Sequence, residues 1–168
     1  MSGVRLPRID RTLVYPKLFY LVRFLAGSFI GPFRPLYFRE IGLSGQQIGM
    51  LGGVRPIVSL LSGPFWSGLA DATRRHRLLL IISLGSGLVL VPAMTLSSNV
   101  LILTVLVMAH TFMNAPSGPL VDAAVLRVLG SRRNLYGQQR LWGTIGYAIG
   151  GVIIGSLMER YGLKVGFY

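Results

Sequence analysis

The chain has 168 residues, of which 52% are apolar and only 13% charged, and its mean hydropathy is +0.60. That charge share is about half of what a soluble domain carries. Seventeen Lys and Arg against five Asp and Glu give a net charge of +12, yet the cations fall in short segments between apolar blocks, with no aromatic-interleaved basic surface. Nucleic acid is therefore not the expected partner. With no cysteine there is no disulfide, thiolate nucleophile or cysteine metal site.

Residues 1–17, MSGVRLPRIDRTLVYPK, read as a polar and basic N-terminal segment on the cytoplasmic side. The apolar block behind it is too long for a signal-peptide core and reads as a retained first span. Five blocks follow one another, near residues 18–37, 48–70, 78–96, 100–125 and 141–157, and together they define residues 18–168 as one partial helix bundle. Each approaches the ~20 residues an α-helix needs to cross the hydrocarbon core. The strict alternation of a membrane β-barrel is absent, so the expected fold class is all-α, a polytopic transmembrane bundle.

With the N-terminus inside, cytoplasmic segments hold Arg5, Arg8, Arg11, Lys17, Arg74, Arg75, Arg77, Arg127, Arg132 and Arg133, and the other side holds only Arg39, Arg160 and Lys164. This bias sets the orientation of a multi-pass protein whose N-terminus is cytoplasmic. The final GLKVGFY reads as the entry to a sixth span, so a C-terminal half or a second chain is an expected partner beside the lipid bilayer.

Along the first two spans, Arg23, Arg34 and Arg55 interrupt apolar runs. Such charges face a protein interior or a water-filled cavity, or else snorkel to the headgroups. Snorkelling is expected of Arg34, near the end of its span. Arg23 sits near the other end, with both readings open. Arg55, one third of the way into the second span and followed by Pro56, is expected to take a functional or ion-pairing role. Pro32 and Pro35 make the end of the first span irregular. Trp66, Tyr37 and Tyr168 fit interfacial anchors.

His110 lies in mid-span four, and Asn114 with Pro116 and Pro119 suggests a kink whose freed carbonyls are satisfied by neighbours or water. Asp122 lies nine residues before Ser131 and Arg140 nine residues after it, on either side of the polar turn GSRRN. Residues equidistant from such a turn reach similar depth on neighbouring antiparallel helices. A carboxylate and a guanidinium there either pair structurally or converge on a ligand. Tyr147, two turns beyond Arg140, lies on nearly the same face. In the last span Gly146/Gly150 and Gly151/Gly155 have the four-residue spacing that lets helix backbones approach, most simply within one bundle.

Two stretches carry a resemblance. GLADATRRHR, residues 68–77, resembles the loop between the second and third helices of major facilitator superfamily transporters, where Gly68, Asp71, Arg75 and Arg77 fit, while Ala72 and Arg74 depart from the usual residues. The resemblance implies a conformational-gating loop in which the aspartate caps a helix and pairs with arginines. APSGPLVDAAVLRVLGSRRNLYGQQRLWGTIGY resembles the fourth and fifth helices of the lactose-permease-like subgroup, and PLYFREIGLSGQQIGMLGGVRPIVSLLSGPFWSGLAD resembles the major facilitator domain-containing protein 6 relatives. The resemblance covers about residues 15–168, or the first five of twelve helices.

It implies that Asp122 and Arg140 bind solute hydroxyls and that Tyr147 stacks on a sugar-like ring. The implied activity is alternating-access transport of a small, hydroxyl-rich solute such as a sugar or nucleoside, moved with protons, by a protein of which this chain is the N-terminal portion. The residues that carry proton coupling in that subgroup belong to the other half. On charge placement, Asn114, Arg55 and Arg23 join the candidate solute-binding set. A non-transporting receptor or assembly protein, or an inactive truncated product, is the alternative. Neither a cofactor, a metal nor an enzymatic activity is expected, because no hydrolase elbow, phosphate loop, metal cluster or paired carboxylate is present.

Overall fold

The structure, a computed structural model, describes residues 11–167. Arg5, Arg8 and Tyr168, and with them most of the expected N-terminal segment, lie outside the described residues. Seven α-helices run in the order α1 Arg11–Ser28, α2 Arg34–Glu40, α3 Gly45–Thr73, α4 His76–Ala93, α5 Val100–Asn114, α6 Ser117–Leu129 and α7 Tyr136–Tyr161, and no strand occurs among the described residues. Short 3-10 turns follow α4, α6 and α7. The protein is an all-α, polytopic membrane bundle.

Local chemistry places the helix ends. Ser44 caps α3 with a reciprocal pair: its hydroxyl accepts from the Gln47 amide at 3.3 Å, and the Gln47 side chain accepts from the Ser44 amide at 2.8 Å. Asn99 caps α5, its carbonyl oxygen accepting from the Leu101 amide at 2.9 Å. Arg74, with φ +54, takes the left-handed position that stops α3, leaving a connection of two residues before α4.

Three stretches are long and apolar enough to cross a membrane: Gly45–Thr73, His76–Leu96 and Val100–Tyr161. They contain four of the five expected spans. The first expected span is divided instead, ending at Ser28 and restarting at Arg34 after a turn that holds Pro32. Helix α1 in turn already includes Arg11, the first described residue, seven residues before the expected start of the span.

Polarity is arranged as lipid requires. Leu60, Leu101, Val105 and Val152 are exposed on the outside of the bundle. The interior is made of small clusters: Tyr37, Phe38, Leu103, Val107 and Phe167 in one, Tyr20, Val121, Val125 and Leu129 in another, Trp66, Ala70 and Leu79 in a third. Dispersion and close approach, rather than water exclusion, hold such helices together.

The tightest pair is α1 against α7. A Cβ on Gly146 would meet the Leu21 carbonyl oxygen, one on Gly150 would meet the Ser28 hydroxyl and the Leu25 carbonyl, and one on Gly143 would come 2.9 Å from the Phe24 ring. The glycine row facing α1 is therefore 143, 146 and 150. Gly151 faces open space and Gly155 only touches Phe33. Both members of the first four-residue pair read in the sequence, Gly146 and Gly150, thus pack against α1, while of the second pair only Gly155 touches a neighbour.

Two expected anchors are core residues. Tyr37 is buried with its ring 4.5 Å from that of Phe167. Trp66 is buried too, and its indole N–H donates to the Phe112 carbonyl at 2.7 Å. Phe112 precedes Pro116 by four residues, so its carbonyl is the one that the proline, lacking an N–H, cannot satisfy. The interruption between α5 and α6 therefore exposes a backbone acceptor, and α3 answers it.

Candidate functional site

Asp122 on α6 and Arg140 on α7 do come together, with Nη1 and Oδ2 3.9 Å apart. The Gly130–Leu135 turn reverses the chain between them, and equal spacing from that turn brings them level. The pair is loose and partly exposed: the Arg140 side chain is 58% exposed and that of Asp122 31%. Arg140 also donates to the Tyr136 hydroxyl one turn earlier at 3.2 Å. The closer partner of Asp122 is one the sequence reading missed. The buried Tyr20 hydroxyl on α1 donates to Oδ1 at 2.6 Å. Tyr20 looks like any apolar-span aromatic in one dimension, and only the α1–α7 packing carries it to α6.

Arg23, one turn beyond Tyr20, has Nη2 2.6 Å from the buried Ser117 hydroxyl, to which it donates. That hydroxyl lies 2.7 Å from both the backbone and the side-chain carbonyl oxygen of Asn114. Ser117, unremarked in the sequence, is thus the joint between Arg23 and Asn114, and its position just past Pro116 was the available signal. Arg23 is also within the electrostatic reach of Asp122 and Arg140. Two adjacent polar groups, Arg23–Ser117–Asn114 and Tyr20–Asp122–Arg140, make up a polar web that spans α1, α5, α6 and α7.

A cavity of about 460 Å³ adjoins this web, with Arg23, Asn114, Tyr147 and His110 in its walls. The volume falls in the range of about 300–1,000 Å³ usual for small-molecule sites. Phe24, Phe29, Ile30 and Leu88 supply much of the remaining lining. The Tyr147 hydroxyl lies where the α1–α2 break passes, 3.3 Å from the position a Cβ on Gly31 would take. Three expected residues, Arg23, Asn114 and Tyr147, share this lining, whereas Asp122 and Arg140 are not part of it.

One expectation needs correction. Arg34 does not snorkel: it is only 5% exposed, and its Nε and Nη1 are buried without an acceptor. The break after Ser28 makes Arg34 the first residue of α2, and the buried Tyr37 and Phe38 follow at i+3 and i+4, so one helix face takes all three inward. Arg55 is exposed on α3 and is not part of this lining.

Around the α3–α4 connection, Asp71 at the end of α3 and Arg75 and Arg77 at the start of α4 are exposed, and no ion pair joins them among the described residues. Asp71 instead shares a second cavity, of about 420 Å³, with Trp66, His76 and Arg127. No group of three or more metal-ligating side chains occurs among the described residues.

Residues 13–168 match the MFS_1 like family. The chain is 31% identical over 159 residues to the maltose permease of Geobacillus stearothermophilus, covering 94% of this chain and 40% of that protein. It is 32% identical over 157 residues to the multidrug resistance protein MdtG of Yersinia enterocolitica, covering 86% of this chain and 37% of that one. An uncharacterized transporter of Bacillus subtilis, YwbF, is 29% identical over 146 residues, or 86% of this chain and 36% of that protein. The chain thus spans about 40% or less of the length of these curated relatives. No solved structure matches it.

Proposed function

The chain belongs to the MFS_1 like family of major facilitator transporters, and from that premise we propose that it forms the solute-binding N-terminal portion of a secondary transporter. The solute is small and hydroxyl-rich, of the sugar or nucleoside class, and is moved with protons by alternating access. One observation carries this reading: Arg23, Asn114 and Tyr147 from three helices line a single cavity, and Arg23 stands one helical turn from Tyr20, whose hydroxyl donates to Asp122 beside Arg140. Hydrogen-bonding groups around a hollow, with an aromatic ring in its wall, suit hydroxyls and a ring face. A maltose permease among the relatives supports the sugar class.

The binding roles fall on Asp122, Arg140, Tyr147, Asn114 and Arg23, and Arg55 supplies charge from outside the cavity. Gly68, Asp71, Arg75 and Arg77 form the gating connection between α3 and α4, and the N-terminus is cytoplasmic. Rocking of this bundle against a second one exposes the cavity to alternate sides.

A second reading has its own support. The cavity's aromatic and aliphatic lining, together with multidrug resistance relatives, suits export of amphipathic compounds. Transport by the full-length protein in inside-out and right-side-out vesicles separates the two. Radiolabelled sugar entering right-side-out vesicles, and lost in Asp122→Asn and Arg140→Ala at normal surface expression, supports the first. Unchanged uptake in both variants rejects these site assignments, and dye extrusion without sugar uptake rejects the sugar class.

A further inference from the structure

Hydroxyls inside these helices have a default partner. Ser28, Ser62, Ser86, Thr104 and Thr111 each donate back to a carbonyl three or four residues earlier, at 2.7–3.1 Å. Ser83 on α4 does not. It is only 1% exposed, and its Oγ is buried without a hydrogen-bond partner among the described residues. A buried hydroxyl left unpaired costs free energy, so its place in the fold needs a reason.

The reason lies in where Ser83 stands. It is in the wall of the cavity of about 460 Å³, and so is His110. The two are on neighbouring helices, since α4 packs on α5. Gly87 lies one turn beyond Ser83 on the same face of α4, and a Cβ there would come 4.0 Å from Nε2 of His110. The imidazole therefore rests against the α4 face that carries Ser83. His110 makes no hydrogen bond to another described residue. Two other polar residues of the wall, Arg23 and Asn114, are already joined through Ser117. Bonding capacity thus remains on the α4–α5 side. A hydroxyl both donates and accepts, and a neutral imidazole offers one N–H and one acceptor nitrogen. Together they complement an alcohol, which donates and accepts in turn, better than an apolar surface.

We propose that Ser83 and His110 form a second solute-binding station, on the α4–α5 side of the cavity, which takes a hydroxyl of the solute while Arg23, Asn114 and Tyr147 hold the rest of it. Rotation about one side-chain bond turns the Ser83 hydroxyl into the hollow. The inference rests on the transporter reading above and deepens it. The station selects hydroxylated solutes over amphipathic compounds that cannot reciprocate its bonds.

Calorimetric binding to the purified full-length protein, with maltose, uridine and tetraphenylphosphonium as probes, tests this. Maltose or uridine should bind, and Ser83→Ala and His110→Phe should each weaken that binding about threefold to tenfold. His110→Gln, which keeps a donor and an acceptor, should recover part of the loss. Ser83→Ala should not lower the ligand-free melting temperature, because the hydroxyl it removes has no partner. Wild-type affinity in both Ser83→Ala and His110→Phe overturns the inference while leaving the transporter reading in place. A lowered melting temperature in Ser83→Ala overturns it too, since the hydroxyl is then a structural group. Binding of tetraphenylphosphonium without either hydroxylated probe overturns the station and the sugar class together. Absence of binding by all three overturns the station and the transporter reading. Should His110→Phe fail to fold, Ser83→Ala decides alone.

Discussion

Gly146→Ala probes the contact that positions the whole polar web. The new methyl group would press on the Leu21 carbonyl oxygen, with the Leu21 carbonyl carbon at 2.9 Å and Cα at 3.0 Å. All three are backbone atoms of α1, so no side chain can swing aside and the helix itself must retreat. Overpacking of this kind costs about 1–3 kcal/mol, offset by about 0.5–1 kcal/mol of improved helix propensity. The expected net loss is on the order of 0.5–2 kcal/mol. Gly151→Ala is the internal control, since a Cβ there meets nothing within 4 Å and only the propensity gain remains. Because α1 carries Tyr20 and Arg23, its retreat also stretches the contacts to Asp122 and Ser117. Reversible SDS unfolding of the full-length protein reads the stability, and solute affinity reads the site. Destabilisation by Gly146→Ala beside a neutral or stabilising Gly151→Ala is expected. Equal effects at the two glycines would refute the α1–α7 packing.

Other variants test single contacts. Tyr20→Phe should lose about 1–2 kcal/mol, because it removes a 2.6 Å bond to a carboxylate. A double-mutant cycle with Asp122→Asn should give coupling of about 0.5 kcal/mol or more in SDS unfolding. Trp66→Phe should cost about 1 kcal/mol by orphaning the Phe112 carbonyl, and the cost should shrink in a Pro116→Ala background, where a backbone N–H returns to that carbonyl. Ser44→Ala should cost about 1 kcal/mol through loss of the α3 cap, with Ser44→Asp retaining most of the stability.

Features set by local periodicity were legible in the sequence, and features set by distant packing were not. The Asp122–Arg140 approach followed from equal spacing about one turn, and the interruption near Asn114 followed from two prolines. The partners that complete these features come from elsewhere in the chain. Tyr20 reaches Asp122 across 102 residues, Arg23 reaches Ser117 across 94, and Trp66 reaches Phe112 across 46. Nothing in the one-dimensional pattern distinguishes Tyr20 from a lipid-facing tyrosine. Gln139 makes the same point: it is buried while its neighbour Arg140 is exposed, because successive helical residues point about 100° apart. Arg34 was misread because the first span was drawn as one helix. Once the chain breaks after Ser28, its face is set by α2, and the rule for long cations near a span end no longer applies.

Central to the account is a hollow that holds water and solute beside α1, within a bundle whose remaining flanks meet lipid. Thiol labelling measures this directly in a full-length background from which any cysteine outside these 168 cysteine-free residues has been replaced by serine. Ala26→Cys lies in the cavity wall, whereas Val152→Cys lies on an exposed apolar flank outside that wall. In full-length protein reconstituted into bilayers, a charged methanethiosulfonate reagent should modify Ala26→Cys rapidly, with protection by bound solute, and should leave Val152→Cys essentially unmodified. Equal rates at the two positions, or an unreactive Ala26→Cys beside a reactive Val152→Cys, would contradict the account.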